Sequence, residues 1–134
     1  MKRLRGITAC LMLTPAFPAA ASAQDLIEGH WENSKHSVIV KIERCGKAWC
    51  GVVVEATEAA KQRARAGGTP NLIGTRVLTN VRGTDGNLKG QAFDPKRNIH
   101  SPATLRLTTP NEFVIRGCAL AGLICKEQRW TRVK

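Results

Sequence analysis

The chain has 134 residues, of which 43% are hydrophobic and 4% aromatic, and its net charge is +11. This length suits one domain around one core and leaves no room for a second domain. The basic charge favours anionic partners, but it bears on association and not on fold.

The first 23 residues have the pattern of a secretory signal peptide. Three basic residues lie in the first five positions, an apolar stretch follows over residues 7–20, and Ala21-Ser22-Ala23 forms an A-x-A-like cleavage site. The apolar stretch is too short for a transmembrane helix and contains two prolines. We therefore predict no transmembrane segment, cleavage near Ala23, and a periplasmic or secreted mature domain over residues 24–134 with a net charge of +8.

Four cysteines remain in the mature domain, in two close pairs: Cys45 with Cys50, and Cys118 with Cys125. An even number of cysteines in an exported chain predicts disulfides, because exported compartments are oxidising. Four cysteines allow three connectivities, and the two local pairings are favoured if each pair straddles a turn. A four-cysteine zinc site is the alternative, although both spacings are wider than those of zinc ribbons.

From Gly29 onward, short runs appear in which apolar residues occupy every second position. Val38, Val40 and Ile42 form one such run, which is the pattern of a strand with one buried face. Clusters of Gly, Asn, Asp and Pro separate the runs, as hairpin turns require. We predict eight strands, at residues 28–33, 37–45, 50–55, 75–81, 87–93, 99–107, 111–118 and 125–132.

One segment interrupts the alternation. Residues 55–66 are rich in helix formers and end at Gly67-Gly68, which predicts a short helix between strands three and four. Eight antiparallel strands joined mostly by tight turns predict an all-β, up-and-down, lipocalin-like barrel, because closure removes the exposed edges of the sheet. A β-sandwich is the alternative architecture.

The two ends of the predicted domain carry tryptophan motifs, Gly29-His30-Trp31 and Trp130-Thr131-Arg132. In an even-stranded up-and-down barrel, the start of the first strand and the end of the last lie at the same rim. We therefore expect Trp31 and Trp130 to plug that rim, with Arg132 across an indole as a cation–π partner. This arrangement resembles that of lipocalins, in which an arginine from the far end of the chain covers a Gly-x-Trp motif.

Further motifs follow in order along the whole domain. They are Ile42-Glu43-Arg44-Cys45-Gly46 with Cys50-Gly51, Leu72-Ile73-Gly74, Gly90-Gln91-Ala92-Phe93-Asp94-Pro95, Val114-Ile115-Arg116-Gly117 and Trp130-Thr131-Arg132-Val133. In their order and spacing the chain resembles the bacterial domain-of-unknown-function 2147 family, which are small exported proteins with a lipocalin-like barrel. The resemblance implies a fold and a compartment, and it supplies no catalytic residues. The chain departs from the family at Asn98, at His100 and in its basic 55–66 segment.

Alternation of the connections assigns them to two rims. Loops 33–36, 56–74, 94–98 and 118–126 share the rim opposite the tryptophans, and loops 44–50, 82–87 and 108–111 share the plugged rim. The first rim is strongly basic, so we predict an open mouth, with the 55–66 helix as its lid, that binds a small amphiphilic or anionic ligand of the lipid or fatty-acid type. The candidate ligand-binding residues are Lys35, His36, Lys61, Arg63, Arg65, Lys96, Arg97, His100 and Lys126.

Two alternatives do not require a small-molecule ligand. An eight-stranded barrel can be filled by its own side chains, and the helix is then only a solvated face. The loops of such a filled barrel suit an envelope protein partner, as in a stress-response or inhibitor-like module.

The residues present disfavour several other classes. The three histidines, His30, His36 and His100, have no recognised ligand spacing, so we predict no metal site and no cofactor. The chain has no nucleophile elbow, phosphate loop or close carboxylate pair, so we predict no enzymatic activity. Few aromatic residues and an exported address argue against nucleic-acid binding. The sequence carries no signal for an oligomeric state.

Overall fold

The computed structural model describes residues 10–18, 25–119 and 122–133, and in this part of the chain eight strands close into one antiparallel barrel. A short 3-10 turn (Asp25–Ile27) precedes β1 (Gly29–Asn33), β2 (Val38–Cys45), β3 (Ala48–Ala56), helix α1 (Glu58–Ala66), β4 (Arg76–Thr84), β5 (Asn87–Asp94), β6 (Ile99–Thr109), β7 (Glu112–Ala119) and β8 (Ile124–Val133). Each strand pairs with the next, and β8 pairs with β1. The predicted lipocalin-like barrel with one short helix is confirmed.

The predicted leader lies mostly outside the described residues. The cleavage position near Ala23 lies outside the described residues, so it stays a prediction. Residues 10–18 are exposed and contain no helix or strand. Across the described ranges, no helix is long and apolar enough to cross a bilayer.

Two hairpin turns are tighter than the sequence pattern predicts. β3 begins at Ala48, so only Gly46 and Lys47 connect it to β2. β4 continues to Thr84, and Asp85-Gly86 turns the chain with φ angles of 55° and 75°. Positive φ at both central residues suits a two-residue hairpin, and Asp-Gly is a favoured pair there. The predicted loops 44–50 and 82–87 are wrong because the flanking residues keep their cross-strand pairing up to the turn.

The helix begins three residues later than predicted. Thr57 is its N-cap, and the Thr57 Oγ1 accepts a hydrogen bond from the amide of Ala60 at 3.2 Å. Glu55 and Ala56 instead continue β3, where they pair with Ile39 and Val38. Pairing with β2 therefore outweighs the helix propensity of this segment.

Apolar side chains fill one half of the barrel. The fully buried residues include Ile27, Trp31 and Phe113, which lie near the turns 46–47, 85–86 and 110–111. We call this end of the barrel the closed end. The other end, from which α1 emerges, holds the connections β1–β2, β3–β4, β5–β6 and β7–β8, and we call it the open end.

The barrel wall is not uniform. β5 and β6 pair at eight positions without a register shift, whereas β3 and β4 pair at only three positions, with a shift between each. Two further backbone bonds, between Val53 and Thr75 and between Gly74 and Val53, extend the contact beyond β4. We call this irregular strand pair the β3–β4 seam.

Two disulfides join neighbouring strands, one at each end of the barrel. Cys45 bonds to Cys50 across the β2–β3 hairpin at the closed end, and Cys118 bonds to Cys125, its direct partner in the β7–β8 register, at the open end. The two local pairings are therefore confirmed. Both bridges therefore restrain hairpins of neighbouring strands.

Candidate ligand-binding site

Trp31 and Arg132 seal the closed end. The Trp31 indole is fully buried, its Nε1 donates to the Ile27 carbonyl at 2.8 Å, and the Arg132 guanidinium lies 4.3 Å from the centre of its ring system. The same guanidinium donates hydrogen bonds to three backbone carbonyls, those of Leu26, Glu28 and Pro110. Gly29 makes room for it, because a Cβ there would come within 2.5 Å of Arg132 Nη1.

Trp130 lies nearer the mouth than the predicted plug position. It pairs with Asn33 on β1, two residues from the Trp31–Arg132 pair, and it lines the internal cavity. Its ring stacks on Phe113 at 6.2 Å, and Phe113 meets Trp31 edge-on at 4.7 Å. The Trp130 indole is thus a wall of the cavity and not part of the plug.

Above this aromatic stack lies an internal cavity of about 240 Å³, which we call the chamber. Its walls are mainly aliphatic and aromatic, from Val40, Val53, Leu72, Leu78, Phe113 and Ile115. Typical ligand pockets measure about 300–1,000 Å³, so the chamber lies just below that range. It is large enough for a small molecule or one short acyl chain, and too small for a two-chain phospholipid.

Polar atoms follow one wall of the chamber. Lys126, Gln128 and Trp130 occupy alternate positions of β8, so they lie on the same face of the strand at steps of about 6.6 Å. The Trp130 Nε1 is buried and has no hydrogen-bond partner among the described residues. The chamber therefore offers donors at three depths along an otherwise apolar surface.

Four cations surround the mouth of the chamber, and we call them the mouth cations. Lys35 comes from the β1–β2 connection, Arg63 from α1, Lys96 from the β5–β6 turn and Lys126 from β8. None of the four makes an ion pair within the described part of the chain. Asp94, the acidic residue of the mouth, is engaged with Arg97 at 3.5 Å and with the Lys96 amide at 3.0 Å.

The pKa of Lys96 is lowered in this environment. Burial lowers the pKa of its ammonium group below the usual 10.5, and repulsion from Lys35, Lys126 and Arg63 lowers it further, while Asp94 opposes the shift. A lowered pKa means that the folded protein holds the charged form at a cost. An anion bound at the mouth would remove part of that cost.

Comparisons with known proteins give the family of this chain and support its barrel fold. A family model described as "Uncharacterized protein conserved in bacteria (DUF2147)" matches residues 29–132. The chain belongs to this family. None of the curated proteins compared with it matches significantly.

A solved structure supports the fold of this DUF2147 barrel. It is protein HP1028 from Helicobacter pylori, described as belonging to the lipocalin family. The TM-score is 0.62 at 12% sequence identity, and the alignment covers 81% of this chain and 83% of that one. At this identity the similarity shows a shared barrel and says nothing about a shared ligand.

Five of the nine predicted ligand residues of the DUF2147 barrel lie outside the chamber. Lys61 pairs with Glu58 on the exposed side of α1, and His36 contacts the Glu32 carboxylate at 2.8 Å. His100 stacks on Phe93 at 4.6 Å without lining the chamber, and neither Arg65 nor Arg97 reaches it. On α1 the helical period explains the outcome, because Ala60 and Ala64 face the barrel together with Arg63, while Lys61 and Arg65 do not.

Sequence reasoning also missed polar residues of the chamber. Asn33, Ser37 and Gln128 line it, and the Asn33 side chain accepts from the amides of Ser37 and Val38 at 2.9 and 3.1 Å. An Asn followed by a Ser-Lys-His-Ser turn is a signal for such an Asx cap, but nothing local shows that the turn borders a cavity. Among the described residues, no group of three or more His, Cys, Asp or Glu side chains could hold a metal ion.

Helix α1 is fixed over the mouth at its C-terminal end. A Cβ added at Gly67 would lie 2.0 Å from the Lys96 carbonyl oxygen, and the Thr69 hydroxyl donates to the Pro95 carbonyl at 3.0 Å. The helix therefore packs directly on the β5–β6 turn. This contact places Arg63 beside Lys96 and builds one side of the mouth.

We expect Gly67→Ala to lower the free energy of unfolding by about 1–3 kcal/mol, as overpacking does in a tight contact. The φ of Gly67 is −86°, so the cost comes from the collision with Lys96 and not from backbone strain. Urea denaturation would measure it. Gly46→Ala is the control, because a Cβ at Gly46 meets nothing within 4 Å and only its φ of +65° opposes the change. An equal or smaller loss in the Gly67 variant would contradict the packing of α1 on the turn.

Proposed function

We propose that this protein is an exported, non-enzymatic barrel that binds a small anionic amphiphile. One observation carries the proposal: four cations without ion pairs in the described chain surround the mouth of an apolar chamber. The apolar walls suit a short acyl chain, and the mouth cations suit a carboxylate, sulfate or phosphate head. The chamber volume of about 240 Å³ favours one short chain.

The polar residues of β8 suggest how a ligand would be oriented in the chamber. A head bound by Lys126 at the mouth would place the first part of the chain beside Gln128 and the next part beside Trp130. A carbonyl or hydroxyl oxygen on that part of the chain would accept from the buried Trp130 Nε1, which has no partner among the described residues. Oxygenated acyl chains are therefore expected to bind more tightly than plain ones, since leaving a buried donor unsatisfied costs about 1–3 kcal/mol.

The deciding experiment compares single-chain ligands that differ only in the head. Decanoate, decanol and decylamine would be titrated into the purified protein by calorimetry and by thermal shift. We expect decanoate to raise the melting temperature with concentration, because a ligand of the folded state stabilises it by mass action. Decanol should bind more weakly, and decylamine should not bind. The proposal would be contradicted if all three ligands bound equally or if none of them bound.

The same experiment tests the protein-partner alternative. A filled barrel would take up none of these ligands. If the protein instead retains a stoichiometric envelope protein in a pull-down and ignores all three amphiphiles, the loops and not the chamber carry the function.

A pH dependence follows from Lys96. Because the folded-state pKa of Lys96 is lowered, its charge destabilises the folded protein at every pH below that pKa. Stability without ligand should therefore rise as the pH passes from the folded pKa up to the ordinary lysine pKa of 10.5. Affinity for decanoate should fall over the same window, since the neutral amine no longer attracts the head.

Both trends should be weaker in Lys96→Gln. Chemical denaturation and calorimetry across alkaline pH would measure them in the two proteins. Lys47→Gln, at the closed end, is the matched control and should behave as the wild type. Parallel curves for the wild type and Lys96→Gln would contradict the assignment to Lys96.

A further inference from the structure

Large apolar side chains are exposed mainly at the open end of the barrel. Over the described residues from 25 onward, the most exposed are Leu123 (86%), Ile124 (52%), Ile73 (45%) and Ile99 (41%). They lie on three different connections of the open end: Ile73 between α1 and β4, Ile99 after the β5–β6 turn, and Leu123 with Ile124 at the β7–β8 turn. Among the described residues of the closed end, only Leu26, at 37%, is comparable.

Basic residues are also concentrated at the open end. The described connections of the open end contain six Lys or Arg residues and one acidic residue, Glu58, which pairs with Lys61. At the closed end, the turns 46–47, 85–86 and 110–111 contain one cation, Lys47, and one acid, Asp85. An anionic surface would therefore attract the open end and orient the barrel toward it.

The arrangement of apolar and charged groups identifies the kind of surface. The four mouth cations line the chamber at the centre of the open end, whereas none of the four exposed apolar residues lines it. Protein interfaces have the opposite arrangement, with an apolar core depleted of charge and a polar rim. Separate apolar side chains on turns, around a basic centre, instead suit a lipid headgroup layer, where each side chain inserts on its own and the cations meet phosphates.

We propose that the open end docks on an anionic phospholipid surface, with Leu123, Ile124, Ile73 and Ile99 inserted between headgroups. Docking in this orientation brings the mouth of the chamber against the membrane. An amphiphile could then pass between the bilayer and the chamber without its chain crossing water. The docking itself requires no bound ligand.

Vesicle flotation with the purified protein tests this surface. Vesicles of phosphatidylcholine alone and of phosphatidylcholine mixed with phosphatidylglycerol would be compared at low and high salt. We expect binding only to the anionic vesicles, and weaker binding at high salt because the charges are screened. Equal binding to neutral vesicles, or none to either kind, would overturn the proposal.

Two variants and their controls separate oriented docking from general basicity. Leu123→Ser should reduce the partition coefficient about tenfold, in line with an apolar side chain withdrawn from the interface, whereas Leu26→Ser at the closed end should leave it unchanged. Lys61→Gln with Arg65→Gln should reduce it more than tenfold, at about fivefold per cation, whereas Lys47→Gln with Arg82→Gln should have little effect.

Each outcome decides the proposal. Losses that are equal for the open-end and closed-end pairs would overturn it, because they would show unoriented attraction to a basic protein. Capture of an acidic polypeptide such as polyglutamate in a Leu123-dependent manner, with no vesicle binding, would overturn it in favour of a protein partner. Because every substituted residue lies outside the chamber, decanoate binding should survive in all variants, so that failure of docking and failure of ligand binding are distinguishable.

Discussion

Arg132→Met should lower the free energy of unfolding by about 3 kcal/mol, since hydrogen bonds to charged donors contribute about 1.5–3 kcal/mol each and the exposed ones less. The guanidinium joins the 3-10 turn, the β6–β7 turn and the Trp31 ring, and methionine replaces its volume without its donors. At about 4 °C per kcal/mol for a domain of this size, the melting temperature should fall by about 12 °C.

The matched control lies on the outer face of the same strand. Arg129 pairs with Glu112 at 3.4 Å and is largely exposed, so Arg129→Met should cost less than about 1 kcal/mol. Differential scanning calorimetry of both variants would measure the difference. Similar small losses in both would show that the closed end holds without the arginine, and the account of the plug would then be wrong.

The second large effect concerns ligand affinity. Arg63→Gln, Lys96→Gln and Lys126→Gln combined should weaken decanoate binding by about a hundredfold, since each partly exposed ion pair contributes up to about 1 kcal/mol, or about fivefold. The same variant should be slightly more stable than the wild type without ligand, because the partly buried charge of Lys96 and its repulsion by Arg63 and Lys126 are gone. A loss of affinity together with a gain of stability is expected for charges that serve to bind an anion.

A variant of equal charge provides the control. Lys61→Gln, Arg65→Gln and Arg97→Gln remove three cations from the same end; none of the three lines the chamber, although Arg97 pairs with Asp94, which does. Long-range screening should limit their effect to a few-fold, and it should vanish at high salt. If the two triple variants weaken decanoate equally, net charge and not the mouth geometry governs binding.

Much of the architecture follows from local sequence. Alternation in Val38, Val40 and Ile42 specifies a half-buried strand, and tight turns between such runs leave an up-and-down barrel as the simplest closure. The two disulfides also follow, because each pair of cysteines straddles a hairpin. These features depend on neighbours in the chain, so the sequence pattern contains them.

The details of the site depend on contacts between distant residues. Trp130 faces the chamber because the closing register pairs Arg132 with Trp31, and the stagger of a barrel is not visible in any single strand. Arg63 reaches the mouth while Lys61 and Arg65 do not, because the face of α1 is fixed where Gly67 meets the Lys96 carbonyl. Neither contact can be recognised from local sequence before the fold is known.

The β3–β4 seam has a consequence for how the barrel moves. These strands pair at few positions, so their amides should exchange with deuterium earlier than those of the evenly paired β5 and β6, as regions of low local stability do. Val53 and Leu78 border both the seam and the chamber. Transient parting of the wall would therefore expose the interior sideways, giving an acyl chain a lateral route while its head stays with the cations.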